Sequence, residues 1–302
     1  MSTDPQLIME RPEGLGAKTN ATPQSTVKTI LLHVQSDEAQ DRRLQNALSL
    51  ARAASAHLSC LHVTPIEAYV AFDSFGGVFV MNDVIKALDE EEARLRSEVE
   101  DKLRGEDVSW DYTQVTGNVA GQIISHAALA DLIVVGREPH RSDFVGSNVS
   151  LLGDLLQRSR TPLFIAADDG VPIDPTGVAL IAWDGSYEAA NAVRSSVGLL
   201  KLASEVRVVN IEEQKSEPFP GTRLLEYLSR QGIHAELVVE PARAGLTDQQ
   251  AISTALMAHV HAVGASYLLM GGYSHNRISE FVFGGVTRTM LSGSTVPLVI
   301  AR

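Results

Sequence analysis

The chain repeats itself, and that repeat constrains the fold more than any other feature. Gly136-Arg137-Glu138-Pro139-His140 faces Gly271-Gly272-Tyr273-Ser274-His275, 135 positions later. Pro162-Leu163-Phe164-Ile165-Ala166 faces Pro297-Leu298-Val299-Ile300-Ala301 at the same 135-position offset. A constant offset over two separated segments marks two copies of one structural unit. The first strands break this register. Val34 facing Trp183 gives an offset of 149, so the first copy carries about 14 additional residues. They are expected within Tyr69 to Ile85, where the stretch from Phe72 to Val80 reads as an apolar, glycine-containing insertion that covers the sheet or contacts the other copy.

Each copy alternates strand and helix patterns. In the first, Val27 to Val34 is a short apolar run, the pattern of a buried strand. Leu44, Ala47, Leu48 and Ala51 then recur at helical spacing. Leu58 to Val63 reads as the second strand. A long helix follows with Leu88, Leu95, Val99 and Leu103 on one face, and Asp89 to Glu92 are expected at its N-terminal end, where they complement the helix dipole. Trp110 to Val115, Leu132 to Val135 and Pro162 to Ala166 read as strands, with helices over Val119 to Leu129 and Leu151 to Gln157. Such alternation indicates a parallel sheet covered on both faces. The division expected is an arm over 1–26, a first domain over 27–169, a linker over 170–176 and a second domain over 177–302. The arm, rich in Pro, Gly, Ser, Thr and Asn, lacks the apolar content to order itself.

Composition narrows the function classes. A net charge of -12 argues against a nucleic-acid backbone as partner. No stretch approaches the roughly 18 apolar residues of a membrane helix, and residues 1 to 26 hold no secretion signal, so a cytoplasmic protein is expected. The single cysteine, Cys60, lies in a strand pattern and reads as a small buried hydrophobe; it permits neither an internal disulfide nor a cysteine metal site. The 9 histidines lack metal-ligand spacing.

Two constellations bear on chemistry. Trp183-Asp184-Gly185-Ser186 ends the first strand of the second copy, where ligands bind in open α/β folds; the alternative is that Asp184 and Ser186 only cap a helix. Met270-Gly271-Gly272-Tyr273-Ser274 is followed, nine residues on, by Gly284-Gly285-Val286-Thr287. Small residues let a backbone approach phosphate, and Gly284 to Thr287 open the last helix, whose free N–H groups favour an anion. Turn geometry alone is the competing explanation. His140 and His275 occupy equivalent loop positions and read as locally bonded histidines. Arg137, Arg141 and Arg277 read as solvated loop charges or as phosphate contacts.

These motifs, with the terminal Val296-Pro297-Leu298-Val299-Ile300, resemble the universal stress protein family, and the resemblance spans residues 27 to 302 as in its tandem members. It implies two tandem, doubly wound, Rossmann-like α/β domains with five-stranded parallel sheets, packed like a dimer through their last strands, and an ATP or AMP site of the kind some members hold. Carried over by residue, it puts Asp184 and Ile211 near adenine and ribose. It puts Gly271, Ser274, Gly284, Gly285, Val286 and Thr287 near ribose and phosphates, with Met270 closing the strand before them. Ser274 and Gly285 depart from the family pattern, so the second-copy site is a partial one. In the first copy Gln35 replaces the aspartate, Pro139 the second loop glycine, and Val149 falls opposite Gly284 unless a shorter loop brings Gly146-Ser147 there. That copy is expected to bind no nucleotide. Three readings remain open at this point: a nucleotide-responsive, non-enzymatic stress protein, an intramolecular pseudo-dimer that either stays single or pairs again; a nucleotide-free interaction scaffold; and a slow ATPase.

Overall fold

The computed structural model describes residues 25–66, 71–72, 78–79, 82–137, 151–167, 172–212, 219–241, 248–272 and 285–302. In the first unit the elements are β1 (Thr29–Val34), α1 (Gln40–Ala54), β2 (His57–Pro65), β3 (Ala71–Phe72), β4 (Val78–Phe79), α2 (Asn82–Arg104), β5 (Trp110–Gly117), α3 (Val119–His126), β6 (Leu132–Val135), α4 (Leu151–Arg158) and β7 (Leu163–Ile165). The second unit runs β8 (Val178–Trp183), α5 (Tyr187–Ser195), α6 (Val197–Leu200), β9 (Glu205–Glu212), α7 (Gly221–Arg230), β10 (Ala235–Pro241), α8 (Asp248–Val263), β11 (Ala265–Gly271), α9 (Gly285–Gly293) and β12 (Leu298–Ala301).

Ten strands form one sheet in the order β10-β9-β8-β11-β12-β7-β6-β1-β2-β5. All neighbours within a unit are parallel, as in Ile30↔Leu58 and Ile30↔Leu132 about β1 and Ile181↔Val208 and Leu269↔Ile181 about β8. The expected meeting of the two units through their last strands is seen directly: β12 and β7 pair antiparallel, Val299 opposite Phe164. The apolar runs are buried on both faces because helices cover both. One apolar layer lies under α1, α2, α5 and α7, and the other under α3, α4, α8 and α9. At the seam Leu163, Phe164, Ile165, Leu298, Val299 and Ile300 are all at most 1% exposed. Each such side chain contributes on the order of 1.5–3 kcal/mol by burial, so the seam is built like a domain core.

Reciprocal ties cross it. Ser25 Oγ donates to the Gly198 carbonyl of α6 at 2.9 Å, and the Ile173 amide donates to Asn46 Oδ1 of α1 at 2.8 Å. Arg302 Nη1 donates to the Gln157 carbonyl at 2.7 Å.

Two expectations are corrected. Asp89 to Glu92 do not begin α2, which starts at Asn82. They sit in its second and third turns, beyond the reach of the dipole's end. There Glu91 pairs with Arg94 at 2.6 Å, while Glu92 is buried. The additional length of the first copy is not confined to an insertion either. A β3–β4 hairpin does lie between β2 and α2, with Ala71 opposite Phe79, but α2 itself has 23 residues where α7 has 10. What the hairpin's side chains touch lies outside the described residues.

Candidate functional site

The second-unit site forms where the sheet reverses its winding. From β8 the chain moves outward to β9 and β10, then crosses back to β11 and β12 on the other side. The crevice outside the carboxyl ends of β8 and β11 is therefore a topological switch point, the usual ligand position in open α/β sheets. Met270 pairs with Ala182, and Trp183 with Asn210, so Asp184, Met270, Gly271 and Ile211 follow the ends of three adjacent strands. Ile211 and Met270 are buried in the apolar layer beneath α8 and α9.

Local chemistry fixes the β8–α5 turn. Gly185 has φ +68°, the left-handed region glycine reaches without a Cβ penalty. Asp184 Oδ1 accepts from the Ser186 amide at 3.0 Å and from Ser186 Oγ at 2.6 Å. Ser186 Oγ in turn accepts from the Ala189 amide at 3.1 Å and caps α5. The capping alternative is thus real for Ser186, while Asp184 only holds the cap residue in place and stays exposed. Gly271 also has a packing role: a Cβ there would lie 2.5 Å from the Ala189 nitrogen, so the strand end runs directly against the first turn of α5.

Gly285 opens α9 as expected, with Val286 half-buried and Thr287 buried. The carboxamide of Gln249, from α8, lies over it; a Cβ on Gly285 would meet Gln249 Oε1 at 1.8 Å. Ser274 and Gly284 lie outside the described residues, as do Pro139, His140, Arg141, Gly146, Ser147, Val149, His275 and Arg277.

The first unit's equivalent edge is filled by its own side chain. Arg43 of α1 is 1% exposed. Its Nη1 donates to Asp37 Oδ2 at 2.9 Å, and its Nη2 to the Gln35 carbonyl at 3.1 Å and to Gln40 Oε1 at 2.8 Å. Nη1 lies 2.6 Å from where a Cβ on Gly136 would be, and Gly136 is the counterpart of Gly271. Burial, with the Arg43 charge and His62 beside it, lowers the His33 pKa to about 3. Glu92 accepts from Thr64 Oγ1 and, at 2.5 Å, from Gln114 Nε2, and His62 Nε2 lies 3.6 Å from it. Sequence reasoning missed Arg43. The signal was its place on the apolar stripe of α1, four residues before Ala47.

Arg137 is corrected. It is half-buried rather than a solvated loop charge, and its Nη2 donates across the seam to the Ser294 carbonyl at 2.6 Å. Cys60 is buried as expected, and burial pushes its thiol up to about 12. Among the described residues no group of three or more His, Cys, Asp or Glu is placed to hold a metal, and no helix is long and apolar enough to cross a membrane.

The universal stress protein family model matches residues 26–164. That segment belongs to the universal stress protein family. The second unit, beyond the match, repeats the strand order of this universal stress protein domain about β8. Solved structures agree along the whole chain. A universal stress protein from Archaeoglobus fulgidus DSM 4304 is similar at 16% identity and TM-score 0.68, over 91% of this chain and 96% of that one. A functionally unknown protein from Pseudomonas aeruginosa PAO1 is similar at 15% identity and TM-score 0.56, over 93% and 94%. At these identities the likeness fixes the fold alone. No curated protein matches in sequence.

Proposed function

We propose that the chain is a nucleotide-responsive binding module of the universal stress protein type, in which the second unit takes ATP or AMP and no turnover follows. One observation carries this reading: Asp184, Met270 and Gly271 stand at the switch point between β8 and β11, with Ile211 at the neighbouring strand end. The residues present suit an adenosine. An exposed carboxylate stands ready for ribose hydroxyls, and the buried Ile211 and Met270 make the neighbouring strand ends apolar. Phosphates would lie toward the amides that open α9 at Gly285, Val286 and Thr287, with Ser274 and Gly284 on the connection between. Gln249 must then move aside. Neither a lysine in a phosphate loop nor a metal-binding carboxylate pair is evident from the sequence, which supports binding without hydrolysis.

Equilibrium dialysis against labelled ATP and AMP tests the proposal. Saturable binding is expected, weakened at least tenfold in Asp184→Ala, since a hydrogen bond to a charged group contributes about 1.5–3 kcal/mol. No saturation at millimolar nucleotide, or an affinity unaltered by Asp184→Ala, overturns it. Phosphate release above that of the Asp184→Ala protein would reinstate the ATPase reading.

A second reading, a nucleotide-free interaction scaffold, is favoured by one observation: Asp184 Oδ1 and Ser186 are already engaged with each other. Mass spectrometry of the natively purified protein separates the two through the presence of a co-purifying adenine nucleotide.

A further inference from the structure

A cleft of about 390 Å³ between α5 and α7 is used by none of the roles above. It lies where two helix faces approach without closing: Ala190, Val193 and Arg194 share one face of α5, and Arg223, Leu224 and Tyr227 one face of α7. Its floor is apolar, built on Trp183, Val193 and Leu224, which are 5%, 1% and 4% exposed. Its lining is also aromatic. Trp183, Phe219 and Tyr227 border the cleft, and Tyr187 props Phe219 edge-on with ring centroids 4.9 Å apart. In a chain only 5% aromatic, these rings converge on one place.

The rim is basic. Arg194, Arg223 and Arg230 stand there against one acid, Glu226, and that acid is paired with Arg230 at 3.2 Å. Arg194 and Arg223 are exposed and enter no ion pair among the described residues; the Arg223 guanidinium lies 5.7 Å from the Phe219 ring centroid. On a chain of net charge -12 this is a local reversal of sign. The aromatic wall is fixed in advance of any ligand. Trp183 Nε1 donates to the Phe219 carbonyl at 3.0 Å, and the Phe219 amide donates to the Gly185 carbonyl at 3.2 Å. The cleft is also separate from the nucleotide edge. Ile211 and Met270 belong to the apolar layer beneath α8 and α9, whereas Trp183, Val193 and Leu224 belong to the layer on the opposite face of the sheet.

We propose that the α5–α7 cleft binds a small planar aromatic carboxylate. Its rings lie against Trp183 and Phe219, and its carboxylate is held by Arg194 and Arg223. Ring pairs in offset or edge-to-face contact gain more than their buried area alone supplies. A guanidinium offers a carboxylate two parallel N–H donors, which fixes the ligand's direction as well as its charge. The volume falls in the range of small-molecule sites, roughly 300–1,000 Å³. A long aliphatic acid covers the floor but forfeits the ring contacts, and an anion without an apolar body leaves the floor bare. The proposal stands apart from the nucleotide reading and survives its failure, because the two sites share no residue.

The two tryptophans of the chain permit a clean test with naphthoate, two fused rings bearing one carboxylate. Trp183 lines the cleft, whereas Trp110 stands on β5 at the far edge of the sheet. Their indole N–H signals in the NMR spectrum of the isotope-labelled full chain are assigned through Trp110→Phe. Naphthoate should move the Trp183 signal saturably and leave that of Trp110 in place. The affinity should fall roughly tenfold in Arg194→Glu/Arg223→Glu, and by a similar factor for the neutral naphthalenemethanol, since a bond to a charged group is lost in each. Both arginines are exposed, so the double variant keeps its fold, and an unmoved Trp110 signal verifies this. Asp184→Ala, which removes the carboxylate of the nucleotide reading, should leave naphthoate binding unaltered. No saturation at millimolar naphthoate overturns the proposal. So does an affinity indifferent to the charge reversal, or equal movement of both indole signals. Decanoate bound as tightly as naphthoate overturns the aromatic assignment.

Discussion

The two carboxyl edges of the sheet solve the same packing problem in different ways. At Gly271 the strand end abuts the backbone of α5 itself, and Asp184 stands exposed beside it. At Gly136 a guanidinium intervenes: Arg43 reaches from α1 and is held by Asp37, Gln35 and Gln40. Counted by the 149-position offset of Val34 and Trp183, the second-unit counterpart of Arg43 is Ala192, which is fully buried. One edge carries a buried cation whose Nη1 and Nη2 donate to protein groups, while its Nε has no partner among the described residues. The other leaves its carboxylate to solvent. The first edge therefore differs from the second by more than its glycines, because an internal side chain takes the space beside Gly136.

Removing that side chain should give the largest effect. Arg43→Met leaves the Gln35 carbonyl and Gln40 Oε1 without their charged donor, at a cost of about 3 kcal/mol in the chemical-denaturation midpoint. Asp37 is 30% exposed and rehydrates, which holds the loss below that of a fully buried pair. Nucleotide stoichiometry should not rise, because Gln35 supplies no carboxylate. A second equivalent of ATP in the dialysis of Arg43→Met would mean that Arg43 alone closes the first edge.

The next effect is a pH dependence confined to the first unit. His33 has its pKa lowered to about 3 in the fold, against an ordinary value of 6.5, first by burial and then by the Arg43 and His62 charges. The unfolded chain therefore binds a proton that the folded chain refuses throughout that window. Stability is fully present above the unfolded value and is lost as pH falls toward the folded one. By pH 5 the loss attributable to His33 reaches about 2 kcal/mol, from the 1.36 kcal/mol carried by each pH unit. Denaturation midpoints of the parent and His33→Leu at pH 7.5 and pH 5 measure it as a difference of differences. An equal acid loss in both proteins would remove His33 from the account.

How much of this was legible in sequence follows from what each feature depends on. The strands β1, β6, β7 and β12 were readable because they are buried on both faces and so are continuous apolar runs. The meeting of the two units through their last strands followed from the family resemblance, while its antiparallel direction came only with the structure. Arg43 was hidden because a buried arginine is explained only by partners that the fold delivers, here a carbonyl eight residues back and an aspartate six residues back. The acidic run at Asp89 to Glu92 looked like a helix start, yet Glu92 is inward and answers to Thr64 and Gln114 on neighbouring strands. The Asp184 motif was correctly located, but whether it caps or binds was beyond sequence, since Asx turns and ribose sites want the same residue.

The smallest effect probes the open edge itself. Gln249 is exposed on α8, and its carboxamide rests on the Cα of Gly285, where the first amides of α9 would otherwise meet an anion. Truncation in Gln249→Ala removes no apolar burial and favours helix slightly, so stability should move by less than about 0.5 kcal/mol. Nucleotide affinity should rise by a few-fold, because a phosphate no longer displaces the amide before it reaches the helix terminus. AMP and ATP separate two versions of the outcome. If Gln249 guards only the far phosphates, ATP gains and AMP does not. If it covers the whole approach to α9, both gain alike. A drop in affinity for both nucleotides would show instead that the carboxamide is a ligand contact, and would reassign Gln249 from cover to site.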